Sequence, residues 1–261
     1  MKDMREIEIV GNEMPTLRVD GSRARITLRR PEKRNRIEPK DLEALVNLVQ
    51  EIHANSSIRC VTIEATGPSW CSGYHLGALA AREKYKYGFN EGCDAIASIQ
   101  VPTIAVIGGN IHGGGTDLAM ACDMRIASRS IMLAMPAAKI GLQYYATGLQ
   151  RFVERIGPSA TKRIFLTGES IQADELLTMG YLTEILDSDM LEPRASGICQ
   201  AISKLAPNAV KMTKKAIDDL AGLNPDLGQI QSNHLASARS EEHLEAMKAL
   251  REKRKPNFEG S

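Results

Sequence analysis

Aromatic residues are scarce in this chain, only 4% of 261 positions, with one tryptophan (Trp70) and six tyrosines. Two adjacent tyrosines in a loop are therefore a feature to explain. An excess of one charge is also missing, since 33 Lys and Arg face 32 Asp and Glu. That balance gives no support to nucleic acid or an anionic membrane surface as a partner. No apolar run approaches the roughly 18 residues of a membrane-spanning helix. The opening residues, "MKDMREIEIV", lack the basic-then-apolar layout of a secretory leader. Cysteines are few and odd in number: Cys60, Cys71, Cys93, Cys122 and Cys199 show no metal-ligand spacing. Free thiols in a reducing cytosol, and hence a cytoplasmic protein without a metal site, are the expectation.

What is present is an alternation of strand and helix signals. "PTLRVDGSRARITLRRP" reads as two strands joined at Asp20-Gly21. Leu42, Leu45, Val46, Val49 and Ile52 lie at helical spacing. "CVTIEAT" and "PTIAVIGG" read as buried strands, "MRIASRS" and "IMLAMP" as short ones, and "REKYKYGFNEG" as a charged, mobile excursion. From Leu149 onward the pattern is mostly helical, with "YLTEIL" as a last strand. Strand–loop–helix units imply parallel strands with helical crossovers. Periodicity alone does not choose between a stacked spiral and an open doubly wound sheet.

Within "NIHGGGTDLAMACDMRIAS", Gly113-Gly114-Gly115 directly precede a helical pattern. Glycine lets backbone approach a ligand closely, and a helix start leaves N–H groups without partners. The same glycines would also serve tight helix–sheet packing. No Gly-Lys-Ser/Thr follows, so the run is not a phosphate-binding P-loop, and GxGxxG spacing is absent. "SWCSGYHL" follows the preceding strand and offers a second small-residue turn, with the Tyr74 amide after Gly73. Two amides aimed at one point form an oxyanion hole, worth about 2.7–4 kcal/mol per donor.

Together these segments resemble the enoyl-CoA hydratase/isomerase family, the crotonase superfamily. "RPEKRNRI", "SWCSGYHL", "PTIAVIGGNIHGGGTDLAMACDMRIAS", "LTGESIQADELLTMGYLTEIL" and "LREKRKPNF" each echo a family block, over about Thr16 to Phe258. The resemblance implies an α/β fold, a spiral of ββα turns with a C-terminal helical trimerisation region. The division expected is an acyl-CoA-binding core over residues 1–195 and a helical region over 196–261. It implies a homotrimer or dimer of trimers acting on acyl-CoA thioesters. Coenzyme A would arrive as part of the substrate, with no separate cofactor. Carried over by position, the enolate-stabilising amides are those of Tyr74 and Gly114, with Ser72, Gly73, Leu76 and Gly113 shaping the two turns around the substrate.

The sequence departs from that family's hydratases. Of their two glutamates, one is replaced by Asp117, one methylene shorter, and the other by Ala137, which cannot titrate. Asp117 would equally serve as a first-turn helix acid. Where hydratases are glycine-rich, this chain has "KIGLQYYATGLQRF". Tyr144 and Tyr145 fall at the two offsets where superfamily branches carry their reaction-specific group. The Gly-x-x-Tyr spacing resembles methylmalonyl-CoA decarboxylase. A phenol can hydrogen-bond a substrate carboxylate or protonate an enolate carbon, so at least one of the two is expected to act; the alternative is that one packs and the other covers the pocket. Hydration, isomerisation and decarboxylation remain open.

Other candidates are weaker signals. His75, where the family has Asp, could donate to substrate or point away. His234 lies on a late helix and could reach substrate or face solvent. His112 reads as a packing or capping residue. Lys33 and Arg34 are candidates for the CoA phosphates, as are Lys253 and Arg254, with Lys84 and Lys86 near an entrance. Two further readings stand beside catalysis: an acyl-CoA-binding homologue without activity, motivated by Ala137, and a nucleotide-binding α/β protein, which the missing lysine opposes.

Overall fold

The hairpin at Asp20-Gly21 forms as expected, with Thr16 to Asp20 paired antiparallel to Arg23 to Leu28. It belongs to a computed structural model that describes residues 6–7, 13–81, 85–222 and 225–258. In chain order the front part comprises β1 (Glu6–Ile7), β2 (Thr16–Asp20), β3 (Arg23–Leu28), α1 (Pro39–Ala54), β4 (Cys60–Ala65), β5 (Ser69–Cys71), α2 (Leu76–Ala81) and α3 (Phe89–Ala97). Then come β6 (Thr103–Ile107), β7 (Asn110–His112), α4 (Gly114–Met120), β8 (Met124–Ser128), β9 (Met132–Ala134) and α5 (Ala146–Thr167). The chain continues through β10 (Ser170–Gln172), α6 (Ala173–Thr178), β11 (Glu184–Leu186), α7 (Leu191–Ile202), α8 (Pro207–Ala221), α9 (Leu227–Ser237) and α10 (Glu241–Arg251).

Strand pairing decides for the spiral. The longer strands make one sheet in the order β1-β2-β3-β4-β6-β8-β11, and the short ones a second, β10-β9-β7-β5. The chain thus passes from a strand of the first sheet to one of the second, then through a helix back to the first. Neighbours from β3 to β11 in the large sheet are parallel, as the helical crossovers require. This is the α/β architecture that the family resemblance implies.

The centre of the large sheet is covered on both faces, which favours strands without a polar face. Every residue of β6 is buried. Ala105 and Ile107 join the main core with Leu42, Leu45 and Leu48 of α1. Ile104 and Val106 turn to the other face, where Leu191, Ala195 and Cys199 of α7 cover them. The boundary expected at 195/196 falls inside α7, whose first and last turns both pack on the sheet.

Two local expectations are corrected. The segment expected to be a charged excursion already turns helical at Phe89, where the Glu91 side chain accepts from the Gly88 N–H at 2.6 Å. The long helical pattern after Leu149 starts at Ala146 and is broken at Gly157 (φ 74°, ψ 166°), immediately before Pro158. Proline there cannot donate to the preceding turn.

Candidate active site

The two glycine-bearing loops meet because the strands that launch them are neighbours. β5 pairs parallel with β7, Cys71 opposite Ile111. Tyr74 lies three residues after Cys71 and Gly114 three after Ile111 (74 − 71 = 114 − 111 = 3), so both occupy the same step beyond the ladder. Adjacent strands are about 4.8 Å apart. Two donors that share one acceptor at about 2.9 Å each can be no more than about 5.8 Å apart.

Tyr74 is oriented by a parallel bridge to Ile37. The Ile37 N–H donates to Gly73 O at 2.8 Å and the His75 N–H to Ile37 O at 3.0 Å. Because backbone groups alternate along an extended strand, the Tyr74 N–H points to the side opposite Ile37. Gly73 has φ +90°, and a Cβ there would lie 2.7 Å from Gly114 N and 2.9 Å from His112 O. Only glycine allows this approach. Gly113 (φ +52°) donates to Ala134 O at 2.9 Å, and Thr116 N–H returns to Gly113 O at 3.0 Å. Among the described residues, neither the Tyr74 nor the Gly114 N–H donates a hydrogen bond.

Asp117, one turn into α4, is fully buried. It accepts four hydrogen bonds. Arg151 donates from Nε to Oδ1 and from Nη2 to Oδ2, each at 3.0 Å, and Oδ2 also receives the hydroxyls of Tyr145 and, at 3.3 Å, Tyr144. All four are donated to it, the pattern of an acceptor-only carboxylate. The other arm of Arg151 donates to Asp94 Oδ1 at 2.5 Å, and Asp94 is partly exposed on α3.

The two tyrosines differ in place. Their rings stack at 4.4 Å, but Tyr144 is buried against Phe165 (5.3 Å) while Tyr145 faces Phe89 at 6.5 Å. Phe89 lies on Gly114, where a Cβ would be 2.5 Å from its Cζ, and 5.6 Å from the ring of Tyr74. Tyr145 is thus the phenol that shares Phe89 with Tyr74 and Gly114. Burial, then the charge of Asp117, pushes the Tyr144 phenol up. Burial likewise pushes Tyr145 up, with Cys93 and Asp117 adding to it. Both stay protonated donors at neutral pH. Burial alone would lower Arg151, but its bonds to Asp117 and Asp94 outweigh this and hold it above its ordinary value.

The remaining candidates scatter. Ser72 is tied to the "RPEKRNRI" segment, its N–H on Arg34 O and its Oγ on Lys33 O. Lys33 and Arg34 are exposed beside it, and the charge of Arg34 reaches His112, whose pKa is lowered first by burial. Leu76 is exposed at the start of α2. His75 turns its Nδ1 to Glu38 at 2.7 Å instead of standing free beside the amides. His234 is exposed on α9, outside this cluster. Arg254 is committed to Glu245 and Glu252, and Lys86 to Glu43; Lys84 lies outside the described residues. A cleft of about 440 Å³ between the end of α3 and α8 is separate from the amides.

Arg151, Asp94 and Phe89 escaped the sequence reading. Arg151 had a signal: Gly148, Arg151 and Phe152 are the buried positions of that helix stretch, at i, i+3 and i+4. An arginine on a buried stripe asks for a carboxylate. No group of three His, Cys, Asp or Glu able to hold a metal occurs among the described residues.

Comparison with known proteins fits this geometry. The pattern described as enoyl-CoA hydratase/isomerase matches residues 19–261. YngF of Bacillus subtilis, which carries an enoyl-CoA hydratase/isomerase name, is 32% identical over 252 residues, 91% of this chain and 94% of that protein. A short-chain-enoyl-CoA hydratase of Clostridium acetobutylicum is 29% identical over 249 residues, covering 92% and 95%. The crystal structure of an enoyl-CoA hydratase from Bacillus anthracis superposes with a TM-score of 0.84 at 25% identity, covering all of both chains. The chain therefore belongs to the enoyl-CoA hydratase/isomerase family.

Proposed function

We propose that the chain acts on an acyl-CoA thioester, holding the carbonyl oxygen with the Tyr74 and Gly114 N–H groups as it becomes an enolate. Tyr145 supplies the proton, with Asp117 and Arg151 setting its hydroxyl. The observation that carries this reading is that Asp117 Oδ2, the oxygen beside the tyrosines, already accepts from Arg151 Nη2, Tyr145 and Tyr144. A carboxylate oxygen offers roughly two acceptor positions, so this oxygen is not free to activate a water, and the other is held by Arg151 Nε. The second carboxylate of a hydratase is replaced by Ala137, which lies in a 3-10 turn.

Decarboxylation fits these groups better than hydration. A carboxylate on the carbon next to the thioester leaves as CO2, its bonding electrons form the enolate, and Tyr145 delivers the proton that solvent then replaces. No water need be deprotonated. The competing reading is hydration, the activity named for the Clostridium relative. Incubation with methylmalonyl-CoA and crotonyl-CoA in D2O separates them. The reading expects CO2 and a product deuterated next to the thioester from the first, and slow hydration of the second. Fast hydration of crotonyl-CoA with no CO2 release contradicts it.

Lys33 and Arg34 are assigned to the CoA phosphates, which their exposure beside the Ser72 loop supports. No separate cofactor or metal is required by this scheme. Leu227 of α9 and Leu244 and Leu250 of α10 are exposed by 63%, 60% and 71%, which supports assembly through the C-terminal helices as a trimer or a dimer of trimers. The five free thiols suit a cytoplasmic location.

A further inference from the structure

Two of the five cysteines are set apart from the rest. Cys71, Cys93 and Cys122 are fully buried, and burial pushes the thiols of Cys71 and Cys122 up to about 12. Cys60 on β4 and Cys199 on the last turn of α7 instead face each other with their Sγ atoms 3.0 Å apart. They are 139 residues apart in sequence, so no local motif announces the pair. A disulfide needs about 2.05 Å, an approach of about 1 Å from where the sulfurs already stand.

Their surroundings favour reaction at one sulfur. Arg23 on β3 bonds Glu192 at the start of α7 and Glu64 on β4, each at 2.7 Å, and so spans the elements that carry the thiols. The hydrogen bond shared with Cys60, and then the Arg23 guanidinium, hold the Cys199 thiol below its ordinary range, whereas the Cys60 thiol is pushed up. Cys199 is also the more exposed sulfur residue, 5% against 1%. A thiolate is the form that oxidants attack.

We propose that Cys60 and Cys199 form an oxidisable pair, closed to a disulfide by hydroperoxides, that fastens α7 to the central sheet. The Cys199 thiolate attacks one peroxide oxygen, giving a sulfenic acid and releasing the other oxygen as water after protonation. The Cys60 sulfur then attacks that sulfenic sulfur, and the hydroxyl leaves as a second water once Cys60 has given up its proton. Two thiols and one hydrogen peroxide become one disulfide and two waters.

The test uses the full chain, treated with hydrogen peroxide, denatured and alkylated. The proposal expects a mass lower by two hydrogens before alkylation and three rather than five alkylated cysteines of the sequence. Peptide mapping should show a Cys60–Cys199 cross-link that dithiothreitol removes. The oxidised protein should also melt at a higher temperature, because the link closes a long loop of the unfolded chain. Cys60→Ser should stop at a sulfenic acid on Cys199 that dimedone traps. Five alkylated cysteines after treatment, oxygen retained on wild-type Cys199, or a cross-link through Cys71, Cys93 or Cys122 would each overturn the proposal, and none of these readings depends on a variant folding.

Discussion

Arg151 grips Asp117 with two parallel bonds of 3.0 Å, Nε to one carboxylate oxygen and Nη2 to the other. The pair is almost fully buried, at 8% and 0% exposure. Removing one partner of such a pair strands a charge in the interior, at a cost of about 3–5 kcal/mol. Arg151→Met should therefore lower the midpoint of urea unfolding sharply. Arg151→Met combined with Asp117→Leu should recover part of the loss without recovering turnover.

Tyr145 and Tyr144 separate by their place. Tyr145→Phe keeps the ring against Phe89 but removes the hydroxyl that Asp117 accepts. With general acid catalysis worth about 10²–10⁴-fold, kcat on methylmalonyl-CoA should fall by that order with little change in KM. Tyr144→Phe loses a 3.3 Å bond behind it and should cost less than about tenfold in kcat. Steady-state kinetics on the two variants checks the ranking.

Phe89 covers Gly114, and under the proposed function it limits the space open to an acyl group there. Phe89→Ala should lower KM for longer acyl chains relative to short ones. Gly114→Ala drives a methyl to within 2.5 Å of the same ring, which displaces the ring, and should reduce turnover of every acyl chain. Competition kinetics over a chain-length series distinguishes the two.

High pH should destabilise the fold through its tyrosines. Burial raises Tyr144, Tyr145 and Tyr181 above the ordinary phenol value. The native chain therefore holds these protons more tightly than the unfolded chain. Their contribution is fully present below about pH 10 and is lost as pH rises beyond it. A 295 nm titration should show tyrosinate from these residues only as the protein unfolds.

The site was legible where it follows strand order, and illegible where it depends on side chains meeting across the fold. That the two glycine-bearing loops leave one edge could be read from their place after consecutive strand units, and the pairing of β5 with β7 bears it out; the choice of Tyr74 and Gly114 within them came from the family resemblance. Asp117 and the tyrosines were visible as residue types, but the order of the tyrosines was not: stacked rings at 4.4 Å leave one inside and one outside, which spacing cannot tell. Arg151 lies 34 residues from Asp117 and reads as one more helix charge in "GLQRFVERIG". His75 was expected either to meet substrate or to point away, and its partner was not legible because Glu38 precedes α1 in another part of the chain. Phe89 was hidden in a segment so charged that it reads as irregular.

Enolate stabilisation at this site requires one oxygen to accept from two backbone amides. A crystal structure with a non-reactive acyl-CoA thioester analogue measures this directly. The prediction is a thioester oxygen about 2.7–3.1 Å from both Tyr74 N and Gly114 N, with the hydroxyl of Tyr145 facing the adjacent carbon. An analogue bound with that oxygen on neither amide would contradict it.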